Sequence, residues 1–364
     1  MARWKLGLLN WICISPIFLL CLMVSWTFAQ EEGKEKLTGE PAPTVGEERR
    51  EEKKAGTRVA PPEQGGALLG TWRVVLEPSL EYDHFSAQNV SISGFTIFQA
   101  ILIGRVAVEK VKRDIFVPAM TFRLGIKNSE LNVRIPYLFR QDKIIAPRTG
   151  GSTSDLVEKN FSDSAIGDLE AYYYYHLIRE GKWRSWVPDV IVRLGGKFPT
   201  GKDPYGLNRQ FDPDFGSVLA TEFPTGTGHY GFSVGSTFIK SIDPAIVFLN
   251  VAYFNNLPRN VGLAGNPPQD FGKIDLGNSF EYNIGLILAL QEKLSLNFSY
   301  NQRFAGRTTR NGVPLTDTSI NAISFKIGAT YVISPRYTLD FNVGIGLSQD
   351  APDVSVLVRL PISF

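Results

Sequence analysis

The stretch GGKFPTGKDP, residues 195–204, carries the spacing G-x-x-x-x-G-K at Gly196, Gly201 and Lys202, which is most of a phosphate-binding loop. Such a loop works because backbone N–H groups and the N-terminus of a following helix surround phosphate, while a Ser or Thr after the lysine holds magnesium. Here Asp203 stands at that position, and Pro204, Tyr205 and Gly206 continue as a turn. The match is accidental. Histidine is the other source of chemistry, and the chain has three: His84, His176 and His229. Asp83 and Ser233 are the side chains that would complete an acid–base or nucleophile set with them. Side-chain alternation puts His84 on the apolar face of its segment, His176 near one end of another, and His229 at the opposite rim. They do not converge, so no catalytic residue, metal site or cofactor is expected.

Both cysteines, Cys13 and Cys21, lie within residues 1–29, which begin with Arg3 and Lys5, run apolar from 6 to 28 and end at Ala29. This is the pattern of a secretory signal peptide; an uncleaved anchor is the competing reading, weakened by Asn10 and Pro16. Once residues 1–29 leave, the chain has no thiol, which excludes disulfides and cysteine chemistry. Removing Arg3 and Lys5 from the 38 basic residues also balances them against the 36 acidic ones, and no electrostatic case for nucleic acid survives. Residues 30–68 are charged, rich in Gly and Pro and poor in large apolar side chains, the composition of a disordered or partly helical periplasmic tail.

From 69 to 364 the pattern is that of strands. In WRVVLEPSLEYDH the apolar Trp72, Val74, Leu76, Leu80 and Tyr82 alternate with Arg73, Glu77, Ser79, Glu81 and Asp83. The spacing predicts twelve strands: 72–84, 114–126, 130–140, 167–178, 187–198, 229–239, 245–254, 276–290, 294–304, 321–333, 337–348 and 354–364. Tight turns such as 127–129, 291–293 and 334–336 alternate with long links at 85–113, 141–166, 199–228, 255–275 and 305–320. The expected fold is therefore all-β, an antiparallel transmembrane β-barrel of about twelve strands in the bacterial outer membrane, with short periplasmic turns and long external loops. A secreted β-sandwich shares the alternation, but the last strand argues against it. Val354, Val356, Val358, Leu360 and Ile362 alternate before the terminal Phe364, and Val358, Leu360, Ile362 and Phe364 form a signal for the barrel assembly machinery. Pro361 puts register at the seam in question because it lacks a ladder donor. The apolar part of 85–113 is expected to form a hairpin or short helix at the mouth.

Phe-Pro-Thr-Gly occurs twice, at 198–201 and 223–226, framing one outer loop whose aromatic residues would anchor at the headgroups. RIPYLFR (134–140), GDLEAYYYYHL (167–177) and GGKFPTGKD (195–203), in that order, resemble outer-membrane transporters associated with the meta pathway of phenol degradation. LEPSLEYDHFS (76–86) with ISGFTIFQAILIGRVAVEKVKRD (92–114) is similar to the secretion channel of the Fap-type functional amyloid system. The second resemblance implies a twelve-stranded barrel with an N-terminal coiled coil and plug; residues 30–68 depart from it, being short and without heptads. Together they imply a channel passing a small solute, aromatic and hydrophobic ones included, or an exported polypeptide. The alternative is a closed structural or surface-binding barrel. Expected partners are outer-membrane lipid, the assembly machinery and, in a homo-oligomer, further copies of the chain.

Parity gives the pore-lining candidates: Arg73, Arg134, Arg193, Lys197, Arg303, Lys326 and Arg359, with Glu77, Glu81, Asp83, Asp168, Glu170, Glu281 and Asp340, and the phenols Tyr172 and Tyr174. Arg123 and Glu130 share that face. A salt-bridged ladder that satisfies inward charge is favoured over a substrate-binding row. Glu81 and Asp83, near the outer end of their strand, suggest a negative vestibule with modest cation preference.

Overall fold

The computed structural model describes residues 73–86, 90–91, 97–98, 110–148, 155–182, 184, 186–214, 216–316 and 318–364. The expected signal segment 1–29 and tail 30–68 lie outside the described residues. Twelve antiparallel strands form one sheet: β1 Val74–Phe85, β2 Lys110–Ile126, β3 Ser129–Pro147, β4 Leu169–Ile178, β5 Asp189–Phe198, β6 Gly231–Ile242, β7 Ala245–Asn256, β8 Ser279–Gln291, β9 Leu294–Ala305, β10 Ile320–Val332, β11 Thr338–Gly346 and β12 Val354–Arg359. Each pairs with its chain neighbours, and β12 returns to pair with β1 from Ser79↔Arg359 to His84↔Val354, so the sheet closes. All twelve expected strands are present, most within a few residues of their expected ends; β3 runs on to Pro147 and β12 stops at Arg359.

The distribution of polarity separates a barrel from a sandwich. In a soluble sandwich the apolar face of each strand is buried between the sheets and the polar face meets water. Here the two are reversed. Leu80, Phe116, Phe139 and Ile327 are 45–48% exposed, whereas Glu130, Asp168 and Lys197 are at most 1% exposed. Tyr173, Leu194, Phe232, Tyr253, Phe280, Phe341 and Val354 extend the exposed apolar surface from strand to strand around the outside. A continuous belt of this kind is stable only against lipid.

Two links differ from expectation. Strand β2 begins at Lys110 rather than 114, while Val90–Ser91 pairs with Ile97–Phe98 apart from the barrel; the rest of 87–109 lies outside the described residues. The link expected at 141–166 is largely strand: β3 runs on to Pro147, and Leu156–Ile166 pairs along its extension from Tyr137↔Ile166 to Pro147↔Leu156. The partner of β3 is thus one strand interrupted at Gly167–Asp168. Across that break the pairing shifts by one residue, from Tyr137↔Ile166 to Arg134↔Glu170, as a β-bulge does. The polar, loop-like composition of 151–164 concealed this strand because neither of its faces is strongly apolar.

At the seam, Pro361 interrupts β12, but Ile362–Ser363 resumes the pairing with Leu76 and Val75. Arg359↔Ser79 and Ile362↔Leu76 are separated by three residues on each strand, so register is preserved through the proline. Phe364 donates its N–H to Val74 O at 2.9 Å and leaves its ring 71% exposed at the edge of the belt. Deleting Phe364 or replacing it with Asp removes that aromatic anchor from the closing strand. The expected outcome is a lower yield of the heat-modifiable folded form on gels; an unchanged yield would show that the ring has no part in assembly.

Candidate functional site

The inward face presents charge in ion-paired clusters rather than as isolated groups. Arg123 meets Glu130 at 2.8 Å and Glu77 at 3.1 Å; Arg134 lies 3.6 Å from Glu81 and 3.9 Å from Glu170. Arg359 reaches Glu77 at 3.8 Å and Asp340 at 3.9 Å, and Arg303 reaches Glu281 at 4.0 Å. Glu77, Glu81, Asp83, Glu170, Arg193, Lys197, Glu281, Arg303, Asp340 and Arg359 are all buried, Lys326 and Arg134 are half-buried, and Arg73 sits exposed just before β1. Tyr172 and Tyr174 stand side by side with ring centroids 6.3 Å apart, and the Tyr172 hydroxyl donates to Glu170 Oε2 at 3.0 Å.

Sequence reading passed over Arg113, Arg140 and Asp142. Arg113 and Arg140 both donate from Nε and Nη2 to Asp142, at 2.7–2.9 Å for the closest contacts. Arg140 already lay on the inward parity of the expected strand 130–140, and continuing the parity of β2 and β3 beyond their expected ends would have found Arg113 and Asp142. They also change the charge of the outer wall. Arg113 and Arg140 pair with Asp142 there, and Arg134 lies 3.6 Å from Glu81, so basic side chains stand against the acids expected to line the vestibule.

The wall is asymmetric. On β4–β8 it is bulky: Tyr174, Ile191, Ile239, Phe248 and Ile287 form one buried cluster, with Tyr172 and Ile246 against it. On β8–β11 it is small and polar, with Asn283, Ser295, Asn297, Ser299, Gly328, Thr330, Asn342 and Gly344 on the inward parity. Asn297, Gly328 and Asn342 are direct cross-strand partners. Among the described residues, Asn132 Oδ1, Ser233 Oγ, Asn283 Oδ1, Asn297 Nδ2 and Asn342 Nδ2 are buried without a hydrogen-bond partner in the chain.

Above the wall, the loop between β5 and β6 is fastened by the bulge at Gly167–Asp168. The two Phe-Pro-Thr-Gly copies meet there. Thr200 Oγ1 donates to Gly167 O at 2.8 Å, and Thr225 Oγ1 donates to Ile166 O at 2.7 Å. Asp168 accepts from Gly201 N at 3.1 Å through Oδ1, and from Thr227 N at 2.8 Å and Thr227 Oγ1 at 3.0 Å through Oδ2. Lys197 Nζ completes the set by donating to Thr227 Oγ1 at 2.5 Å and Asn256 Oδ1 at 2.9 Å. A Cβ on Gly201 would lie 2.8 Å from Gly226 Cα, so the two glycines are needed where the copies cross. Asp168 is therefore an anchor for the rim. The copies are not equivalent: Phe198 is exposed and packs edge-on to Tyr230, as expected for a headgroup anchor, but Phe223 is buried beneath Arg140 and beside Phe161.

The same loop docks on its other side through Tyr205, which packs on Phe271 and Ile274. His229 Nδ1 lies 2.9 Å from Leu257 O, which can only accept, so Nδ1 carries the proton and Nε2 accepts from the Tyr205 hydroxyl at 2.7 Å. Burial, with Lys197 and Arg259 as positive neighbours, holds the His229 pKa below the ordinary imidazole value, while the Leu257 bond and Asp275 oppose this. The three histidines remain apart. His84 faces outward and bonds Asp114 at 2.8 Å, on the opposite side of the wall from Asp83, and His176 bonds Asp189 at 3.0 Å near the short-turn end.

No family model matches this chain. Among solved structures it is similar to an outer membrane channel from Pseudomonas putida F1, with 13% identity over 81% of this chain and 97% of that one and a TM-score of 0.52. It is also similar to a TodX deltaS2S3 mutant monoaromatic hydrocarbon channel, with 7% identity over 81% and 90% of the two chains and a TM-score of 0.42. The first likeness agrees with the closed antiparallel barrel. The chain has the fold of an outer-membrane β-barrel.

Two outcomes are expected at the rim. A Cβ on Gly226 would strike both Asp168 Oδ1 and Gly201, so Gly226→Ala should overpack the crossing by about 1–3 kcal/mol. Limited proteolysis should then cut residues 199–230 faster while the barrel stays heat-modifiable. The second concerns pH. Because the folded-state pKa of His229 is depressed, the unfolded loop takes up the proton first, so this contribution is present above about 6.5 and declines as pH falls below it. Cleavage of the loop should accelerate between pH 7.5 and 5 in the parent, and His229→Gln should flatten that dependence.

Proposed function

We propose that the chain is a passive outer-membrane channel for a small solute. The observation that carries this reading is on the inward face of β8–β11, where one buried amide atom each of Asn283, Asn297 and Asn342 has no partner in the chain among the described residues. Buried polar groups are almost always hydrogen-bonded, so these enclosed amide atoms call for water molecules within the lumen, which suits a hydrated passage better than a packed apolar core. Twelve strands suit this, lying between small barrels filled by their own side chains and larger ones with wide aqueous lumens. The bulky cluster on β4–β8 confines passage to the polar side, which favours a small solute over an exported polypeptide. The resemblance to transporters of the phenol meta pathway and the likeness to outer membrane channels point the same way.

The closed, structural barrel is the second reading, favoured by the ion pairs of Arg123 and Arg134, which satisfy much of the inward charge internally. Planar-bilayer recording on the folded protein separates the two. A stable unitary conductance with weak ion preference is expected, and Asn297→Trp should reduce it severalfold by filling the polar side. Heat-modifiable, folded protein that shows no conductance would favour the closed barrel.

A further inference from the structure

One inward row of directly paired residues reads Tyr174, Arg193, Gly235, Ala252, Glu281 and Arg303 across β4 to β9. The next inward row toward the outer rim reads Tyr172, Gly195, Ser233, Phe254 and Ser279. Gly235 and Ala252 contribute little bulk between Arg193 on one side and Glu281 with Arg303 on the other, and the resulting recess is bounded by Tyr172 and Phe254, which pack against Ala252. Two rings border the recess. The Arg193 Cζ lies 5.4 Å from the Tyr172 centroid and 5.7 Å from that of Phe254, and the Arg303 Cζ lies 4.8 Å from Phe254 on its side. Gly195 makes the arrangement possible, since a Cβ there would lie 2.7 Å from the Tyr172 ring.

Arg193 is 6% exposed; its guanidinium bonds the Tyr174 hydroxyl and lies in the field of Glu281, but its Nε and Nη2 have no hydrogen-bond partner among the described residues. The neighbouring acids are engaged elsewhere: Glu281 accepts from Asn301 Nδ2 at 3.2 Å and faces Arg303, and Glu170 accepts from Tyr172 and faces Arg134. Nε–H and Nη2–H form one edge of the guanidinium and diverge little, which matches the two oxygens of a carboxylate. This chain uses that edge twice elsewhere, where Arg113 and Arg140 grip Asp142. Ser233 Oγ, in the adjoining row, is likewise buried without a partner.

We propose that the Arg193 edge, with Ser233 beside it and Tyr172 and Phe254 bordering it, is a binding subsite in the lumen for an aromatic carboxylate. The guanidinium edge takes the two carboxylate oxygens, and the bordering rings take the aromatic body by stacking or edge contact. This deepens the channel reading by naming the solute class, and it rests on that reading for access to the recess.

The test uses the folded full-length protein in detergent, with sodium benzoate titrated by isothermal calorimetry and folding of each variant checked by heat-modifiable migration. Saturable binding is expected, and Arg193→Gln should weaken it by about tenfold or more, the scale of a lost charge-assisted hydrogen bond. Arg193→Lys, which keeps the charge without the fork, should fall between, and Phe254→Leu should weaken benzoate more than acetate. Equal benzoate affinity in parent and Arg193→Gln would overturn the proposal. So would benzyl alcohol or inorganic phosphate binding as tightly as benzoate. Calorimetry reads binding without conduction, so absence of conductance beside Arg193-dependent binding would sink the channel reading and leave the subsite standing.

Discussion

The structure depends on backbone hydrogen bonds closing on themselves in a medium that offers none. A sheet edge within a bilayer would leave a row of N–H and C=O groups unsatisfied, each at a cost of several kcal/mol, so the sheet must return to its first strand. That return is made by β12, a strand that carries a proline. Register survives because β1 and β12 advance by the same three residues past it, and Phe364 closes the ladder onto Val74. Once the sheet is closed, the pleat does the rest: one parity meets lipid and must be apolar, and the other is enclosed.

Enclosure sets a second problem, because charged side chains are costly to bury unless they are paired. The inner wall meets it with shared partners. Glu77 serves both Arg123 and Arg359, Arg134 serves both Glu81 and Glu170, and Asp142 serves Arg113 and Arg140. Most of these links join neighbouring strands, Arg134 to Glu81 spans from β3 to β1 over β2, and all hold their side chains against the wall. Where the wall has no such pairing, it is lined by Asn, Ser and Gly instead. The two kinds of surface divide the interior between a braced side and a side suited to water.

The bulge at Gly167–Asp168 connects wall to rim. A single extra residue ends the pairing of β3 with one segment, starts it with the next and turns Asp168 inward. Its carboxylate then accepts from both ends of the β5–β6 loop, and the two Phe-Pro-Thr-Gly turns cross above it. The loop spreads from that point to the strand Leu156–Ile166 through Lys202 and Asp163, 2.8 Å apart, and to the β7–β8 loop through Tyr205 on Phe271 and His229 on Leu257 O. The motif that imitates a nucleotide-binding loop is thus a structural clasp: Lys202 binds Asp163 and Glu222, and Asp203 binds Arg259 and the turn N–H groups of Tyr205 and Gly206.

Alternation of period two, the placement of turns and the terminal aromatic were legible in the chain by themselves. They determined the strand number, the direction of each face and the inward parity of residues as far apart as Glu77 and Arg359, because side-chain direction in a strand follows from position alone. The strand Leu156–Ile166 was not legible, since a segment rising beyond the bilayer need not carry an apolar face. Nor were Arg113 and Asp142, which lie on strand extensions of the same kind. Which inward charges are paired, and that the Nε–Nη2 edge of Arg193, beside two rings, meets no acceptor among the described residues, only the tertiary structure decided. Parity says that a side chain enters the lumen; its neighbours there come from strands dozens of residues away, and register and barrel closure determine which of them it meets.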